Sequence, residues 1–371
     1  MNMNLEKLSL VNFKNYDQAD FEFSAKLNCF VGDNGMGKTN LLDAIHYLSL
    51  TKSYFTSIDS LNIKYFTDFF MVKGAFNFDD NTNTIACSVQ KNKKKKFSRN
   101  KKDYKKLADH IGLIPVVMIS PADSALILDG SEIRRKFLDT VISQYDRKYL
   151  EDLMNYNRAL LQRNILLKSF FKEGRFQPEN LELWNDQLIP PGERIHKKRI
   201  EFVSNLLPKF QDYYNTISSW KEKVGLSYKS QLHDNDFRDL LRKNLDKDGI
   251  LQYTTVGIHK DDLQLELNNH PIKKGGSQGQ QKTYLVALKF AKFSFMKQVT
   301  GKKPIILLDD IFDKFDASRV KQIIQIISGP EFGQIFITDT HRTRLEEILQ
   351  QLNADHKVFR INHEVSEIEN S

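Results

Sequence analysis

The hydrophobic pattern at the start of the chain changes from strand-like to helix-like. Leu8 and Leu10, and later Phe21 and Phe23, lie at alternate positions, as in strands with one buried face. A continuous apolar run follows at Leu27–Val31. Apolar residues then recur at helical spacing, at Leu41, Leu42, Ile45, Leu48 and Leu50. The pattern of residues 27–50 therefore predicts a strand, a glycine-containing loop and a helix, in that order.

The middle of the chain has a different composition. Residues 131–245 form long amphipathic segments that are rich in Leu, Ile, Lys, Arg and Glu. Ser131 is a candidate helix N-cap, and Pro190 and Pro191 predict a break between two helices. These features predict a separate, mainly helical lobe.

Strand signals return in the last third of the chain, at residues 263–267, 304–308 and 334–338. Continuous apolar runs of this kind are typical of parallel strands that are covered by helices on both faces. We therefore predict an α/β fold with an inserted helical lobe. Residues 1–118 and 270–371 are expected to form one discontinuous lobe, and residues 119–269 the inserted one.

The loop after the first continuous strand fits a phosphate-binding pattern. It consists of a glycine, four further residues and then Gly-Lys-Thr, and it lies between a predicted strand and a predicted helix. Glycines let the backbone curl around phosphate oxygens, and the helix N-terminus supplies positive potential. Lys38 is predicted to reach the β- and γ-phosphates, and the Thr39 hydroxyl to bind Mg²⁺. The predicted nucleotide-binding residues are Gly32, Asp33, Asn34, Gly35, Met36, Gly37, Lys38 and Thr39.

A second candidate site element is the acidic end of the strand predicted at residues 304–308. Two carboxylates, Asp309 and Asp310, follow this apolar run directly. An ATPase with a phosphate-binding loop needs a magnesium carboxylate and, beside it, a group that orients the attacking water. We assign Asp309 to Mg²⁺ and Asp310 to the water. A strand that ends in a polar turn is the alternative interpretation.

A third element is the segment at residues 275–281, which reads Gly-Gly-Ser-Gln-Gly-Gln-Gln and precedes an apolar helical run. It offers a second helix N-terminus that can bind an anion. The composition by itself is also typical of a flexible loop. The order of the three elements along the chain is that of an ABC-type ATPase.

Composition indicates the kind of binding partner and the cellular compartment of the protein. The formal net charge of +8 favours a polyanionic partner, because binding phosphates releases condensed counterions. Cys29 and Cys87 are too few for a disulfide framework, which is typical of a reducing compartment. The chain start lacks the order of a signal peptide, and no apolar run reaches the roughly 18 residues that span a bilayer. We expect a cytoplasmic protein with no membrane partner.

Nearly the whole chain resembles the RecF family, bacterial relatives of the SMC and Rad50 ATPases. The resemblance is carried by segments spread along the sequence: Phe-Lys-Asn-Tyr at residues 13–16, the phosphate-binding loop extended through Asn40, and residues 115–121, 134–139, 257–262, 277–283 and 307–312. It implies an ABC-type ATPase head with a mixed sheet flanked by helices, ATP and Mg²⁺ as cofactors, and weak, DNA-stimulated ATP hydrolysis.

The resemblance also implies an assembly and partners. Such proteins form an ATP-dependent homodimer that binds single- and double-stranded DNA at gaps or junctions, and they act with the RecR and RecO mediator proteins in DNA repair and replication restart. In such a dimer the 277–283 segment of one subunit caps the γ-phosphate held by the other, so Ser277, Gly279 and Gln280 would act in trans.

Several positions depart from the usual pattern of these ATPases. Asp310 replaces the glutamate that is usual in ABC-type ATPases and is one methylene shorter. Asp339 stands where a histidine is usual, with His341 two positions further on. Lys260 and Lys282 replace arginines, which keeps the charge but loses bidentate hydrogen bonding.

The densest basic cluster, residues 91–102, is the first candidate for DNA contact. Phe97 and Tyr104 are predicted to place aromatic rings among its lysines, in a hairpin that would contact phosphates. A solvated charged hairpin without a partner is the alternative interpretation. Residues 134–136 and 197–199 are further basic candidates on predicted helices. Because no element resembles a base-reading helix, little sequence preference is expected.

Three other functions remain open. A transporter ATPase does not suit the large helical insert. A true SMC or Rad50 protein needs long heptad-repeat arms, and the insert is too short for them. A DNA-binding scaffold that holds ATP and hydrolyses little of it is compatible with Asp310 in place of glutamate.

Overall fold

The computed structural model describes residues 3–175, 177–218, 222–312, 315–340, 349, 355–362 and 365–368. The strands are β1 (Met3–Phe13), β2 (Tyr16–Glu22), β3 (Leu27–Val31), β4 (Phe69–Phe78), β5 (Asn81–Gln90), β6 (Lys96–Arg99), β7 (Lys102–Asp103), β8 (Val116–Ile119), β9 (Val224–Lys229), β10 (Asp262–Leu267), β11 (His270–Pro271), β12 (Ile305–Asp309), β13 (Ile335–Asp339), β14 (His356–Ile361) and β15 (Val365–Ile368). The α-helices are α1 (Lys38–Leu50), α2 (Ala125–Leu128), α3 (Ser131–Ile142), α4 (Arg147–Glu173), α5 (Glu179–Ser218), α6 (Phe237–Lys243), α7 (Leu245–Leu251), α8 (Ile272–Gly275), α9 (Gln278–Thr300) and α10 (Ala317–Ser328).

The chain divides into two compact units. Unit 1 consists of Met1–Ser124, Tyr213–Ser219 and Lys282–Ser371, and unit 2 of Ala125–Asp212 and Trp220–Gln281. The boundaries differ from those predicted. Residues 119–124 belong to unit 1, where they continue from β8, which pairs with β12. Residues 270–281 belong to unit 2, because β11 pairs with β10 and α8 packs against that strand.

Unit 1 contains two six-stranded sheets. One is antiparallel, with the strand order β2-β1-β4-β5-β6-β7. The other has the order β15-β14-β3-β13-β12-β8 and is parallel except for its β14–β15 edge. The continuous apolar runs at β3, β12 and β13 are fully buried, as expected for parallel strands covered on both faces.

Helix α1 contacts strands of both sheets: β1, β4 and β5 on the antiparallel side and β8, β12 and β13 on the parallel side. Its apolar residues join one core cluster with side chains from each sheet, which includes Phe30, Phe336 and Phe359. Because apolar burial is the main favourable contribution to folding, this cluster fixes the N-terminus of α1 against the ends of β3 and β12.

Unit 2 combines helices α2–α8 with a three-stranded antiparallel sheet of order β11-β10-β9. Arg163 of α4 is completely buried, and its guanidinium donates to Asn185 of α5 (2.8 Å), to Asp248 of α7 (2.7 Å) and to Thr254 (2.7 Å). The carboxylate and the two neutral acceptors satisfy Nε and Nη1 and so offset part of the cost of burying this charge, whereas Nη2 has no hydrogen-bond partner among the described residues.

The predicted break at Pro190 and Pro191 is wrong, because α5 continues through both prolines and through Pro208. Proline removes a helical hydrogen bond and costs about 3 kcal/mol or more inside a helix. The helix persists because apolar residues on either side of the pair, Leu188 and Ile195, are completely buried.

Among the helices that the structure describes, none combines the length and the hydropathy needed to cross a bilayer.

Candidate functional site

The phosphate-binding loop lies between β3 and α1, as predicted. At two of its glycines, neighbouring atoms lie so close to the backbone that a side chain would not fit. A Cβ atom on Gly32 would lie 2.1 Å from the carbonyl oxygen of Ile361. A Cβ atom on Gly37 would lie 2.4 Å from Asn15 Nδ2, and Gly37 has a φ of 108°. Only glycine fits at either position without displacing its neighbour.

The turn between β1 and β2 supports this loop from outside. Asn15 Nδ2 donates to the Met36 carbonyl (3.0 Å), and the Tyr16 hydroxyl donates to the Gly37 carbonyl (3.2 Å). Asn40, predicted to bind nucleotide, donates its amide to Asn15 Oδ1 (2.7 Å). The Phe-Lys-Asn-Tyr segment thus holds the loop in shape, a role that its local pattern did not indicate.

Lys38 is the buried cation of the loop. Its ammonium donates to the carbonyls of Gly32 (2.7 Å) and Asp33 (3.1 Å), so it lies across the loop. A cation held in this position by carbonyl groups is placed to meet phosphate oxygens that the loop surrounds.

Asp309 and Thr39, predicted to bind the same Mg²⁺, are adjacent in space although 270 positions apart in sequence. The Thr39 hydroxyl donates to Asp309 Oδ1 at 2.7 Å. Thr338 donates to the same oxygen (3.1 Å), and Ser120 donates to Asp309 Oδ2 (3.0 Å). Parallel pairing of β12 with β13 and with β8 brings Thr338 and Ser120 to the same sheet edge as Asp309, and Thr39 comes from the first turn of α1.

These residues fit a magnesium ion. Asp309 is buried, and only hydroxyl groups contact its carboxylate among the residues that the structure describes. An isolated buried carboxylate is costly, and a divalent cation would offset that cost. Carboxylate and hydroxyl oxygens are the hard ligands that Mg²⁺ prefers.

Asp310, predicted to orient water, follows β12 and is half-buried. Its φ of 44° is unusual for a residue other than glycine. Its backbone N–H donates to Thr338 Oγ1 at 3.0 Å, which fixes the backbone beside Asp309.

Asp339 is buried at the end of β13, opposite Val31 of β3, and His341 lies outside the described residues.

Ser277, Gly279 and Gln280 belong to unit 2, whereas the phosphate-binding loop and Asp309 belong to unit 1. Ser277 and Gln280 form a reciprocal cap at the start of α9: the Ser277 N–H donates to Gln280 Oε1 (2.7 Å), and the Gln280 N–H donates to Ser277 Oγ (3.2 Å). This capping box fixes the helix N-terminus, the feature from which anion binding was predicted. The action of these residues in trans stays a prediction.

Sequence reasoning missed a buried network behind Asp309. The Ser120 N–H donates to Asp123 Oδ2 (2.9 Å), and Asp123 forms an ion pair with Lys289 of α9. Lys289 also donates to the Met118 carbonyl (2.9 Å) and to the Tyr54 hydroxyl (3.0 Å). The one available signal was a lysine within the apolar run of α9, since a buried lysine needs such partners.

The basic segments are placed differently from the prediction. Phe97 is buried and packs against Tyr104 and His110, so it does not present a ring among the lysines; its alternation within β6 turns it toward the core. Lys95 forms an ion pair with Asp59. The exposed lysines of this hairpin are Lys91, Lys93, Lys94, Lys96, Lys101 and Lys102.

In the other two basic segments, arginine side chains form ion pairs with carboxylates inside unit 2. Arg134 makes a two-pronged ion pair with Asp262 (2.6 and 3.0 Å). Arg199 is buried and pairs with Asp139 (2.8 Å) and Asp261 (3.0 Å). Side chains that are satisfied internally are poor candidates for phosphate contacts.

Comparison with known proteins agrees with this geometry. The family model described as RecF/RecN/SMC N terminal domain matches residues 4–367. The chain is 50% identical over 364 residues to the DNA replication and repair protein RecF of Bacteroides thetaiotaomicron, covering 98% of each chain. It is 48% identical to the RecF of Flavobacterium johnsoniae, covering 97% of this chain and all of that one.

Solved structures extend the agreement to the fold. A structure described as the recombination mediator protein RecF-ATP in the RecFOR pathway superimposes with a TM-score of 0.90 at 30% identity, covering 99% of this chain and 98% of that one. An Smc head domain from Pyrococcus furiosus, 18% identical, has a TM-score of 0.58 over 99% of this chain and 96% of its own, and so shares the fold. The chain therefore belongs to the RecF family and has the ABC/SMC-type ATPase head fold.

Proposed function

We propose that this chain is an ATP-dependent, DNA-binding recombination mediator that acts in DNA repair and replication restart. The observation that carries the proposal is the meeting of Lys38, Thr39 and Asp309 at one sheet edge, with a phosphate-binding loop that only glycines can form. The relatives named for DNA replication and repair, and the solved relative named as an ATP complex, support the same reading.

In the proposed mechanism each residue has a separate task. Lys38 and the loop backbone bind the β- and γ-phosphates, and Thr39 and Asp309 hold Mg²⁺, which supplies charge neutralisation when bound. Asp310 orients the attacking water. Ser277, Gly279 and Gln280 of a second copy cap the γ-phosphate, so nucleotide joins two heads and hydrolysis releases them.

Weak, DNA-stimulated hydrolysis suits this switch better than rapid turnover. Asp310 is shorter than glutamate, and its oxygens reach less far from the backbone. We further propose that the protein works in the cytoplasm with the RecR and RecO mediator proteins on single- and double-stranded DNA. The two lobes then divide the work, with unit 1 as the nucleotide lobe and the capping segment at the start of α9 as the last part of unit 2.

The test is the mass of the protein in solution with and without Mg·ATP, alone and with duplex DNA. Wild type is expected to dimerise only with Mg·ATP. Lys38→Met and Ser277→Arg are expected to stay monomeric, because one lacks the phosphate cation and the other blocks the capping surface. Asp310→Asn is expected to bind ATP, fail to hydrolyse it and accumulate as the dimer.

A mass that does not respond to nucleotide, while DNA still binds, would replace this mechanism with the second candidate, a DNA-binding scaffold that holds ATP. Ser124→Ala is the control, because that exposed hydroxyl bonds only to the Pro121 carbonyl among the described contacts. It should behave as wild type in every arm.

A further inference from the structure

A turn at residues 64–67 in unit 1 presents two aromatic side chains to solvent. The Thr67 N–H and hydroxyl both donate to the Lys64 carbonyl, at 3.2 and 2.9 Å, which closes the turn. Tyr65 and Phe66 occupy its tip, with accessible surfaces of 87% and 106% of the reference value for each residue type. We call residues 64–67 the aromatic turn.

Local structure does not favour a phenylalanine in this position. Phe66 has a φ of 66°, in the left-handed region that glycine and asparagine adopt readily and bulky side chains rarely do. Its ring is fully exposed, so burial does not compensate for the conformation. Strained residues of this kind cluster at functional sites, so the strain indicates a functional role for the exposed rings.

A group of lysines lies next to the aromatic turn. The Lys91 N–H donates to the Asp68 carbonyl (2.9 Å), and the Lys91 ammonium pairs with the Asp68 carboxylate (3.2 Å). This contact places the start of the β5–β6 connection, residues 91–95, beside the residue that follows the aromatic turn. We call residues 91–95 the lysine turn. Its Lys93 and Lys94 are exposed and have no ion-pair partner among the described residues.

The outer face of the antiparallel sheet continues the same surface. Phe69 is 42% exposed and pairs with Gln90, immediately before the lysine turn. Lys73 of β4 and Lys96 of β6 are exposed on this face, where their positions alternate with buried ones. In and beside the two turns, five lysines (Lys64, Lys91, Lys93, Lys94, Lys95) outnumber the three carboxylates that pair with them (Asp17, Asp59, Asp68), so the local charge is positive.

We propose that the aromatic turn and the lysine turn together bind single-stranded DNA, with bases stacked on Tyr65 and Phe66 and phosphates bound by Lys93 and Lys94. This inference rests on the proposed function and names the surface that would serve it. Exposed aromatic rings beside a cationic groove are the physical basis of single-strand binding, because every base has a face that can stack. A duplex offers no such face, since its bases are already stacked.

The experiment measures the affinity of labelled oligothymidine, an abasic oligomer of the same length and a duplex, all with Mg·ATP. The aromatic variant is Tyr65→Ser with Phe66→Gly, because glycine accepts the positive φ and keeps the turn. Because each base–aromatic stack is worth about 1–3 kcal/mol and two are removed, it is expected to lose about 30-fold or more in affinity for oligothymidine and none for the abasic oligomer. Duplex binding should be unchanged.

The lysine variant is Lys93→Gln with Lys94→Gln. It should weaken binding of oligothymidine and of the abasic oligomer alike, and reduce the slope of log affinity against log salt by about 1.4. Phe171→Ala removes an exposed aromatic ring from α4 in unit 2 and serves as the matched control, with binding as in wild type.

Two outcomes would overturn the proposal and are distinguishable from each other. If wild type binds oligothymidine and the aromatic variant binds it equally well, the stacking surface is wrong while the proposed function stands, and the aromatic turn is then a contact for a protein partner. If wild type with Mg·ATP binds neither single-stranded nor duplex DNA, the proposed function fails together with this inference.

Discussion

Two ionisable side chains of unit 1, Asp309 and Lys292, are almost completely buried and have different surroundings. Asp309 is contacted by the hydroxyls of Thr39, Thr338 and Ser120, which leaves its charge available to a cation. Burial and, to a smaller extent, the nearby positive charge of Lys289 together lower the pKa of Lys292 to about 7. One residue is therefore suited to bind a metal ion, whereas the other affects how stability depends on pH.

The lowered pKa of Lys292 predicts a stability that rises with pH. Above pH 7 the folded chain has released this proton, whereas the unfolded chain keeps it until its pKa near 10.5. The unfolded state therefore binds more protons in this window, so the free energy of unfolding should rise by up to about 1.4 kcal/mol per pH unit. Lys292→Met should lack this slope.

Chemical denaturation of wild type and Lys292→Met at a series of pH values from 7 upward measures the effect. The stability of wild type relative to Lys292→Met should increase as the pH rises. Parallel pH profiles would mean that Lys292 keeps its ordinary pKa in the folded chain.

At the scale of elements, local pattern predicted strands well and longer-range contacts poorly. The apolar runs anticipated β3, β10, β12 and β13 to within one residue, because a buried strand requires continuous or alternating apolar side chains. The proline pair in α5 led to a wrong prediction of a helix break, because burial of the flanking apolar residues outweighs the helix-breaking effect of proline. The contact of Ser120 with Asp309 could not be predicted, unlike that of Thr39, because Ser120 follows β8 and reaches Asp309 only through the strand order of the sheet.

The ion pair between Lys289 of α9 and Asp123 should make a large contribution to stability. Both side chains are buried, so Lys289→Met leaves an uncompensated carboxylate and should lower the free energy of unfolding by about 3–5 kcal/mol. Adding Asp123→Asn should recover part of the loss, because the remaining charge is removed.

Lys297→Met is the matched control on the same helix. Lys297 pairs with Glu331, whose side chain is 65% exposed, so its loss should cost no more than about 1 kcal/mol. Urea unfolding of the four proteins gives the comparison, and equal effects of the two lysine substitutions would contradict the assigned role of the buried pair.

At the scale of the whole molecule, the chain carries its nucleotide loop and its capping segment in different units. This division was not predicted, because residues 270–371 were expected to form one lobe with the phosphate-binding loop, and hydrophobic pattern indicated only that a helical lobe interrupts an α/β one. The lobe boundaries could not be read from local pattern, because they depend on which strand each short segment pairs with. Residues 270–281 show this, since they follow β10 into unit 2.

Hydrogen exchange with and without Mg·ATP should separate nucleotide binding from dimer formation. Residues 32–50 are expected to gain protection in wild type and in Ser277→Arg alike, because both bind ATP in unit 1. Residues 275–281 should gain protection only in wild type, where a second copy covers them. Protection of that segment in Ser277→Arg at the same level as in wild type would show that it does not require the partner.

The turn between β1 and β2 is hydrogen-bonded to two parts of unit 1, the phosphate-binding loop and the start of the aromatic turn. Asn15 bonds to the Met36 carbonyl of the phosphate-binding loop, and three residues earlier the Asn12 carbonyl accepts from the Lys64 N–H at the start of the aromatic turn (2.9 Å). Phe13 and Ile63 form a bridge between these two contacts. A shift of the Met36 carbonyl must therefore either break its bond to Asn15 or pull on the chain that carries Tyr65 and Phe66. Two hydrogen bonds and the short backbone segment between Asn12 and Asn15 thus connect the loop that surrounds phosphate to the turn with the exposed rings.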